Sequence, residues 1–501
     1  MITYAVDLGT TNIKVALYAE NLRNLAVARA PMTYRRDAAV VEFDAEEVFD
    51  AVVRLIGDCA RQAELDPSAQ AHLVVTGQAE SLVLVDGRGR PVAPGISWMD
   101  ERSAAEAAEI AEHFDAVAAF AVTGEPEPVP TWPATKLRWL ATHQPRVLAA
   151  TRHVLMIKDY LIFRFTGVMV GEETTRGFTY LYDVVNRRYW PQMLDFCGVG
   201  IEEMPTLVPA GTDVGPVLGG VAELLPPAAS YTVNAGALDH FCAMVGTDSY
   251  RPGAVSASAG TVLSLSLLSA QWQFDPSLAV SFHRGIGPQD TVLFTCADSG
   301  GICLDWFQHN IATAQTYEEL ERALPGRDHS DAPIFLPYLT GVNPPDFVVG
   351  ARGGFLGLQL RHDRVDLAYA VMEGVAHLLR RNLDYLAEHG QVATRVVSAG
   401  GGTASGFWNQ LKADVCGLDL RTSDEPEAAC RGAAVLALVA AGAIDSVDDA
   451  AGLDRPASNT FHPRDRTGRA ARYAQFDATL RRLYGSGASA TDSDSQRKKE
   501  V

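Results

Sequence analysis

Residues 4–17, YAVDLGTTNIKVAL, constrain this chain more than any other stretch, because they read as two short apolar strands around the polar turn Asp7-Leu8-Gly9-Thr10-Thr11-Asn12. Such a turn offers backbone N–H groups and two hydroxyls to an anion. Gly9 lets the main chain approach closely, and Asp7 stands where it can hold a cation. The same residues also make an ordinary hairpin, since Gly, Thr and Asn favour turns for conformational reasons alone. A phosphate site and a plain hairpin both fit this stretch, and other parts of the chain must separate them.

A length of 501 residues exceeds one ordinary core, and about two to four domains are expected. Lys and Arg total 42 against 61 Asp and Glu, a formal charge of -19. That field opposes nucleic acid and anionic membrane surfaces, so an anionic ligand needs local N–H groups and metal ions, not a basic face. The seven cysteines are odd in number, far apart and free of any C-x-x-C pair. They indicate neither a disulfide framework nor a zinc site, and a reducing, cytoplasmic setting is expected. Met1-Ile2-Thr3 runs straight into the first strand without a leader pattern, and no window reaches the ~20 apolar residues of a membrane span.

A third strand is expected over residues 25–32, and Asp44-Ala45-Glu46-Glu47 reads as a capping box ahead of a helix that puts Val48, Val52, Leu55, Ile56 and Cys59 on one face. A buried strand at residues 72–76 ends at Gly77-Gln78-Ala79-Glu80, and a loop at residues 94–102 carries Trp98, Asp100 and Arg102. A three-strand meander followed by alternating helices and strands implies a mixed sheet. It is not a dinucleotide fold, because no G-x-G-x-x-G follows the first strand. Helices are expected at 101–120, 134–143 and 157–165, with a Pro-rich loop at 125–133.

Turn formers over 246–253 mark a boundary between domains 1–247 and 248–484. Just beyond it, residues 255–267, VSASAGTVLSLSL, repeat the opening form of strand, Gly260-Thr261 turn and strand, which implies two related domains. Helices at 301–312, 317–324, 364–388, 403–417 and 427–441 alternate with strands at 292–296, 333–338 and 395–399. A disordered tail is expected over 485–501. Ala399-Gly400-Gly401-Gly402-Thr403-Ala404-Ser405-Gly406 follows a strand and opens a helix, leaving free N–H groups beside an anion and a flat slot for an aromatic base. A tight strand-to-helix connection accounts for the same glycines.

The two hairpins and the glycine run resemble those of the actin, hexokinase and heat-shock chaperone ATPase superfamily. Within it the chain is similar to the FGGY carbohydrate kinases, the group of xylulokinase, glycerol kinase, gluconokinase and ribulokinase, from residue 2 to about residue 484. Both signatures of that family are present. Pro133-Ala134-Thr135-Lys136-Leu137-Arg138-Trp139-Leu140 is the first, with Thr131 a slight departure upstream, and residues 353–358 continue through Asp366-Leu367 to Met372-Glu373-Gly374 as the second. The resemblance implies an α/β fold of two ribonuclease-H-like, actin-like ATPase domains with a cleft between them. Residues 1–247 would hold the sugar, the first phosphate hairpin and the base. Residues 248–484 would hold the second hairpin and the adenosine.

The resemblance further implies an ATP- and Mg2+-dependent kinase acting on a terminal hydroxyl of a small ketose or polyol. Asp239, in Gly236-Ala237-Leu238-Asp239, occupies the place of the family's catalytic base. A sugar hydroxyl is a weak nucleophile, and a carboxylate that orients it and takes its proton suits phosphoryl transfer. By the same carry-over, Asp7 and Asp239 hold Mg2+ through water. Thr10, Thr11, Asn12, Lys14, Gly260 and Thr261 grip phosphates, Gly300 and Gly301 approach them, and Gly401, Gly402, Ser405 and Asn409 lie near ribose and adenine. A strand lysine such as Lys14 also suits solvent.

Gln78, Glu80, Trp98, Asp100, Arg102 and His240 are the expected sugar contacts, although Trp98 equally suits core packing. Ala79-Glu80 matches neither the Met-His of xylulokinase nor the Arg-Glu of glycerol kinase. Glu80 suits two polyol hydroxyls, while the missing arginine argues against glycerol. A sugar-independent chaperone-like or cytoskeletal ATPase and a catalytically silent sensor are the rivals. The expected partner is a small-molecule sugar, with neither nucleic acid nor membrane, and a homodimer is left open.

Overall fold

The computed structural model describes residues 1–259, 262–297, 299–339, 345, 351–454, 457–464 and 466–485. Gly260, Thr261 and the tail from residue 486 lie outside the described residues.

Near-continuous apolar runs build the first sheet. Strands β1 (Ile2–Leu8), β2 (Asn12–Ala19) and β3 (Asn24–Pro31) form an antiparallel meander, with Asp7 opposite Lys14. Helix α1 (Ala45–Gln62) starts where the Asp44 carboxylate accepts the N–H groups of Glu46 and Glu47, and it buries the expected face of Val48, Val52, Leu55, Ile56 and Cys59. It returns the chain to β4 (Gln70–Gly77), parallel to β1. Strands β5 (Asp213–Pro216) and β6 (Ser230–Asn234) complete the order β5-β6-β4-β1-β2-β3, and the short helix α2 (Asp239–Gly246) leaves from the end of β6.

The second sheet repeats this plan. Strands β7 (Ala254–Ala259), β8 (Leu263–Ser269), β9 (Ser281–Arg284) and β10 (Thr291–Ala297) form its antiparallel side. Helix α3 (Arg364–Glu388) then leads to β11 (Arg395–Ala399), α4 (Gly406–Cys416), β12 (Asp419–Ser423), α5 (Ala428–Ala440) and β13 (Ser458–Phe461). The order is β9-β10-β8-β7-β11-β12-β13. In both sheets a meander lies on one side, two parallel strands on the other, and an antiparallel strand closes the edge. The two mixed α/β domains anticipated from the repeated hairpin are therefore present.

Two expected helices differ from those observed. The run over 101–120 divides into Ala104–His113 and Ala116–Thr123, because Phe114 is extended and the Asp115 carboxylate caps Ala118 N–H to start a new helix. The run over 403–417 starts late. Gly401–Thr403 forms a tight 3-10 turn, and Ser405, accepting from Trp408 N–H, caps α4 after it.

Helices α2 and α5 occupy equivalent places in the two domains, and they cross through reciprocal glycines. A Cβ on Gly246 would stand 2.0 Å from the Ala428 carbonyl oxygen, and a Cβ on Gly432 would stand 1.8 Å from that of Cys242. Backbone atoms cannot yield to a methyl group as a flexible side chain does. Alanine at 432 gains up to ~1 kcal/mol of helix propensity, but forcing atoms into a packed contact costs about 1–3 kcal/mol or more. Gly432→Ala is therefore expected to lower stability by about 2 kcal/mol net, read as a lower urea midpoint. An unchanged or raised midpoint would show that the crossing is not tight.

Candidate active site

The cleft between the domains holds a cavity of about 580 Å³. The first domain lines it with Thr10 from the β1–β2 turn, Gln78 and Glu80 beyond β4, Trp98, Glu125, Glu127, Trp132, Phe178, Asp239 and His240. The second domain contributes Ser264, Ser281, Phe294 and Thr295. Aromatic faces and four carboxyl groups stand among aliphatic and hydroxyl side chains on this surface, and no Lys or Arg is among the described residues lining it.

Asp239 is the first residue of α2, where the helix dipole favours negative charge. The loop ahead of it is fastened at nearly every backbone group. Ala235 N–H donates to Thr212 O at 2.8 Å and Gly211 N–H to Gly236 O at 2.7 Å. Gly236 N–H donates to Asn234 Oδ1 at 2.8 Å, and Thr76 Oγ1 donates to Ala237 O at 2.8 Å. Two further groups reach a buried ion pair. Lys158 Nζ donates to Ala235 O at 2.9 Å and to Glu172 Oε2 at 2.8 Å. Glu172 accepts the hydroxyls of Thr174 and Thr175, and Thr174 Oγ1 in turn accepts Leu238 N–H at 2.9 Å. Lys158 and Glu172 are fully buried. Because apolar groups of similar volume often serve stability as well as a buried ion pair, the value of this pair lies in the two hydrogen-bonded ends of the loop.

Asp7, at the end of β1, is buried, and its Oδ1 has no hydrogen-bond partner among the described residues. Burial first, and then the nearby Asp239 carboxylate, pushes its pKa up to about 7, against the pull of Lys14. Lys14 Nζ lies 3.7 Å from Asp7 and 3.1 Å from Glu427, which Arg29 also meets at 2.9 Å. Burial pulls Lys14 down, yet Asp7 and Glu427 together hold it above the usual lysine range. Glu427 stands at the head of α5, so this chain of charges joins the first hairpin to the second domain.

Family models account for most of the chain. The FGGY family of carbohydrate kinases, N-terminal domain, matches residues 2–246, and the C-terminal domain of the same family matches residues 255–441. The chain belongs to the FGGY family of carbohydrate kinases. A xylulose kinase of Escherichia coli K12 is 30% identical over 486 residues, covering 96% of this chain and 98% of that protein. A gluconokinase of Bacillus subtilis is 25% identical over 467 residues, covering 88% of each. The crystal structure of xylulose kinase from Rhodospirillum rubrum superposes with a TM-score of 0.87 at 26% identity, covering 96% of this chain and 99% of that one. The protein is thus an ATP-dependent carbohydrate kinase with an alcohol group as acceptor, and a sugar-independent ATPase is not favoured.

Of the residues expected in this kinase's site, Thr10, Gln78, Glu80, Trp98, Asp239 and His240 meet at the cavity. Trp98 is tied there, its indole N–H donating to Thr10 Oγ1 at 3.0 Å. Glu80 sits in the left-handed region at φ 63°, a strained position for a glutamate, and burial pushes its carboxyl above the usual range. Thr11 is exposed on the hairpin tip and Asn12 begins β2. Lys14 faces carboxylates, not solvent.

Asp100 and Arg102 are not among the lining residues. Asp100 is fully buried and accepts Val41 N–H at 2.6 Å, while Arg102 donates to Asp100 and, at 2.9 Å, to Glu42. Their hydrogen bonds hold the Trp98 loop from behind, and the structure does not bring these two side chains to the cavity with the other expected sugar contacts. Gly300 packs against the second hairpin, where a Cβ would stand 2.5 Å from Val262 C, and Gly301 caps the helix Ile302–Asn310. Gly401 and Gly402 lie in their 3-10 turn, Ser405 donates to Glu321, and Asn409 Nδ2 donates to Thr403 O at 2.8 Å while its Oδ1 stays unpaired among the described residues. This group is separate from the cavity. Gly260 and Thr261 lie outside the described residues.

Sequence reasoning missed Glu125, Trp132, Phe178, Phe294, Lys158, Glu172, Thr174 and Glu427. The one signal for any of them was Lys158, next to Asp159 at the start of a mostly apolar helical run. Thr174→Val removes the acceptor of Leu238 N–H at constant volume. It is expected to lower kcat by about 10- to 100-fold through misplacement of Asp239, with KM for ATP unchanged, whereas Thr174→Ser retains the hydroxyl and the rate. Steady-state kinetics on the two variants check this.

Proposed function

We propose that this kinase transfers the γ-phosphoryl group of ATP to a terminal hydroxyl of an uncharged small ketose or polyol. The carrying observation is the cavity lining, in which Glu80, Glu125, Glu127 and Asp239 surround the space with no Lys or Arg among the described residues. A sugar acid would find no Lys or Arg among those lining residues to pair with and would face Asp239, so the likeness to a gluconokinase does not extend to gluconate. Hydroxyl groups suit carboxyl acceptors, and the aromatic faces of Trp98, Trp132 and Phe294 suit the C–H faces of a sugar.

Asp239 orients the acceptor hydroxyl and takes its proton as the bond to phosphorus forms. The fastened 235–238 loop keeps that carboxylate in one position without reorganisation during the reaction. Thr10, held by Trp98, links the sugar wall to the phosphate hairpin. Lys14 brings positive charge beside the phosphates, in balance with Asp7 and Glu427. Asp7, with an unpaired buried oxygen beside a second carboxylate, fits a hard divalent ion such as Mg2+, held together with Asp239 through water and phosphate oxygens. When bound, that ion would neutralise charge developing on the phosphates. Closure of the cleft around the sugar excludes water as a competing nucleophile.

ADP release with ATP and Mg2+ across D-xylulose, D-ribulose, xylitol, glycerol and gluconate tests this reading. A neutral acceptor should drive turnover, gluconate should not, and Asp239→Asn should lower kcat by about 10²- to 10⁴-fold. Turnover with gluconate alone, or ADP release indifferent to both sugar and mutation, would overturn it.

A further inference from the structure

The Pro-rich loop 125–133 enters the cavity from the first domain, and its first residue has an arrangement that the mechanism above leaves unused. Glu125 is 1% exposed and lines the cavity. Its Oε2 accepts the hydroxyl of Ser281, the first residue of β9 in the other domain, at 2.7 Å. Its Oε1 has no hydrogen-bond partner among the described residues. Buried carboxyl oxygens are nearly always paired, so an unpaired one on a residue that lines a cavity points to a partner that arrives with a ligand.

One ring approaches this oxygen without a hydrogen bond to it. His283 Nε2 lies 3.4 Å from Oε1, but the ring is fully buried, has no hydrogen bond of its own among the described residues, and stacks on Phe178 with centroids 3.8 Å apart. Burial lowers its pKa to about 3, so it carries no charge to pair with a carboxylate. Burial also holds the Glu125 carboxyl well above the ordinary range, with Ser281 opposing and Glu80 adding to the rise. A protonated carboxyl in this position both donates to and accepts from a hydroxyl group.

The backbone around Glu125 is fixed across the domain boundary. Its N–H donates to Thr123 Oγ1 at 3.1 Å, and Phe282 N–H of β9 donates to Gly124 O at 2.7 Å. The loop backbone and the Glu125 carboxyl are thus both tied to β9 of the other domain. Glu80, on the opposite loop of the first domain, interacts electrostatically with both Glu125 and Asp239.

We propose that Glu125 is a specificity-determining contact of the acceptor pocket, holding a non-reacting hydroxyl of a neutral polyol together with Glu80 and linking that hold to domain closure through Ser281. This inference rests on the kinase reading above. It predicts that acceptor affinity, and not nucleotide affinity, depends on this side chain.

Steady-state kinetics with the best of D-xylulose, D-ribulose and xylitol, varied against ATP, provide the test. Glu125→Ala is expected to raise the acceptor KM by about 10-fold or more, with KM for ATP within about 2-fold of wild type. Glu125→Gln keeps an acceptor for Ser281 and a polar atom for the sugar, and should restore the acceptor KM to within about 3-fold of wild type. Ser281→Ala removes only the cross-domain bond and should give an intermediate acceptor KM; it also serves if Glu125→Ala does not fold. An unchanged acceptor KM in the folded Glu125→Ala and Ser281→Ala variants overturns the inference. So does an equal rise in both KM values, or a Gln variant as impaired as Ala. If wild-type protein releases no ADP with any of the three acceptors, the kinase reading for neutral sugars fails, and this inference fails with it.

Discussion

Two like charges must be held close together for this site to exist. Asp7 near the end of β1 and Asp239 at the head of α2 come together at the first sheet, and their mutual repulsion adds to burial in raising Asp7. Left to relax, the 235–239 loop would swing the Asp239 carboxylate away toward water. The hydrogen bonds from Thr76, Gly211, Thr212, Asn234, Lys158 and Thr174 prevent this, because every backbone polar group they engage would have to be given up at once. The Lys158–Glu172 pair fits this role: in a site that needs geometry more than stability, a fully buried ion pair earns its place as a fixed point.

The duplicated architecture explains where the compensating charge comes from. Helices α2 and α5 are equivalents that cross through Gly246 and Gly432, and each carries an acidic residue at its head. In the first domain that residue is Asp239, which lines the cavity. In the second it is Glu427, which binds Lys14 and Arg29 of the first-domain meander. The glycine crossing thus brings a carboxylate of one domain to the cations of the other, and Lys14 stands between Asp7 and Glu427 where its charge offsets both. Far from the cleft, the second family signature has a structural part. Glu373 on α3 is buried and holds Arg472 of the C-terminal helix through both carboxylate oxygens.

Features governed by local pattern were legible in the sequence. The opening hairpin, the face of α1, the long helix α3 and the strand β11 follow from periodicity and turn chemistry, and the repeated hairpin announced the second domain. The Gly-x-x-Asp loop, Gln78, Glu80 and Trp98 were found through the family resemblance and do meet at the cavity. Features governed by tertiary placement were not legible. Asp100 and Arg102 sit in a loop that reaches the site, yet their side chains turn away into an ion pair with each other, which Arg102 extends to Glu42. Glu125, Glu172 and Glu427 read as surface residues by type, and only the folded chain buries them. The division of the 101–120 helix depends on a single cap at Asp115 within an Ala-rich run, where helical periodicity continues on both sides.

The most direct measurement is the titration of the Asp7 carboxyl, followed by carbon NMR of aspartate-labelled protein without Mg2+ or nucleotide and assigned with Asp7→Asn. In wild-type protein it should titrate near 7, and in Asp239→Asn, where the like charge is gone, it should move clearly lower. An ordinary carboxylate value in wild type, or the same value in both proteins, would contradict the account that the fold exists to hold these two carboxylates together.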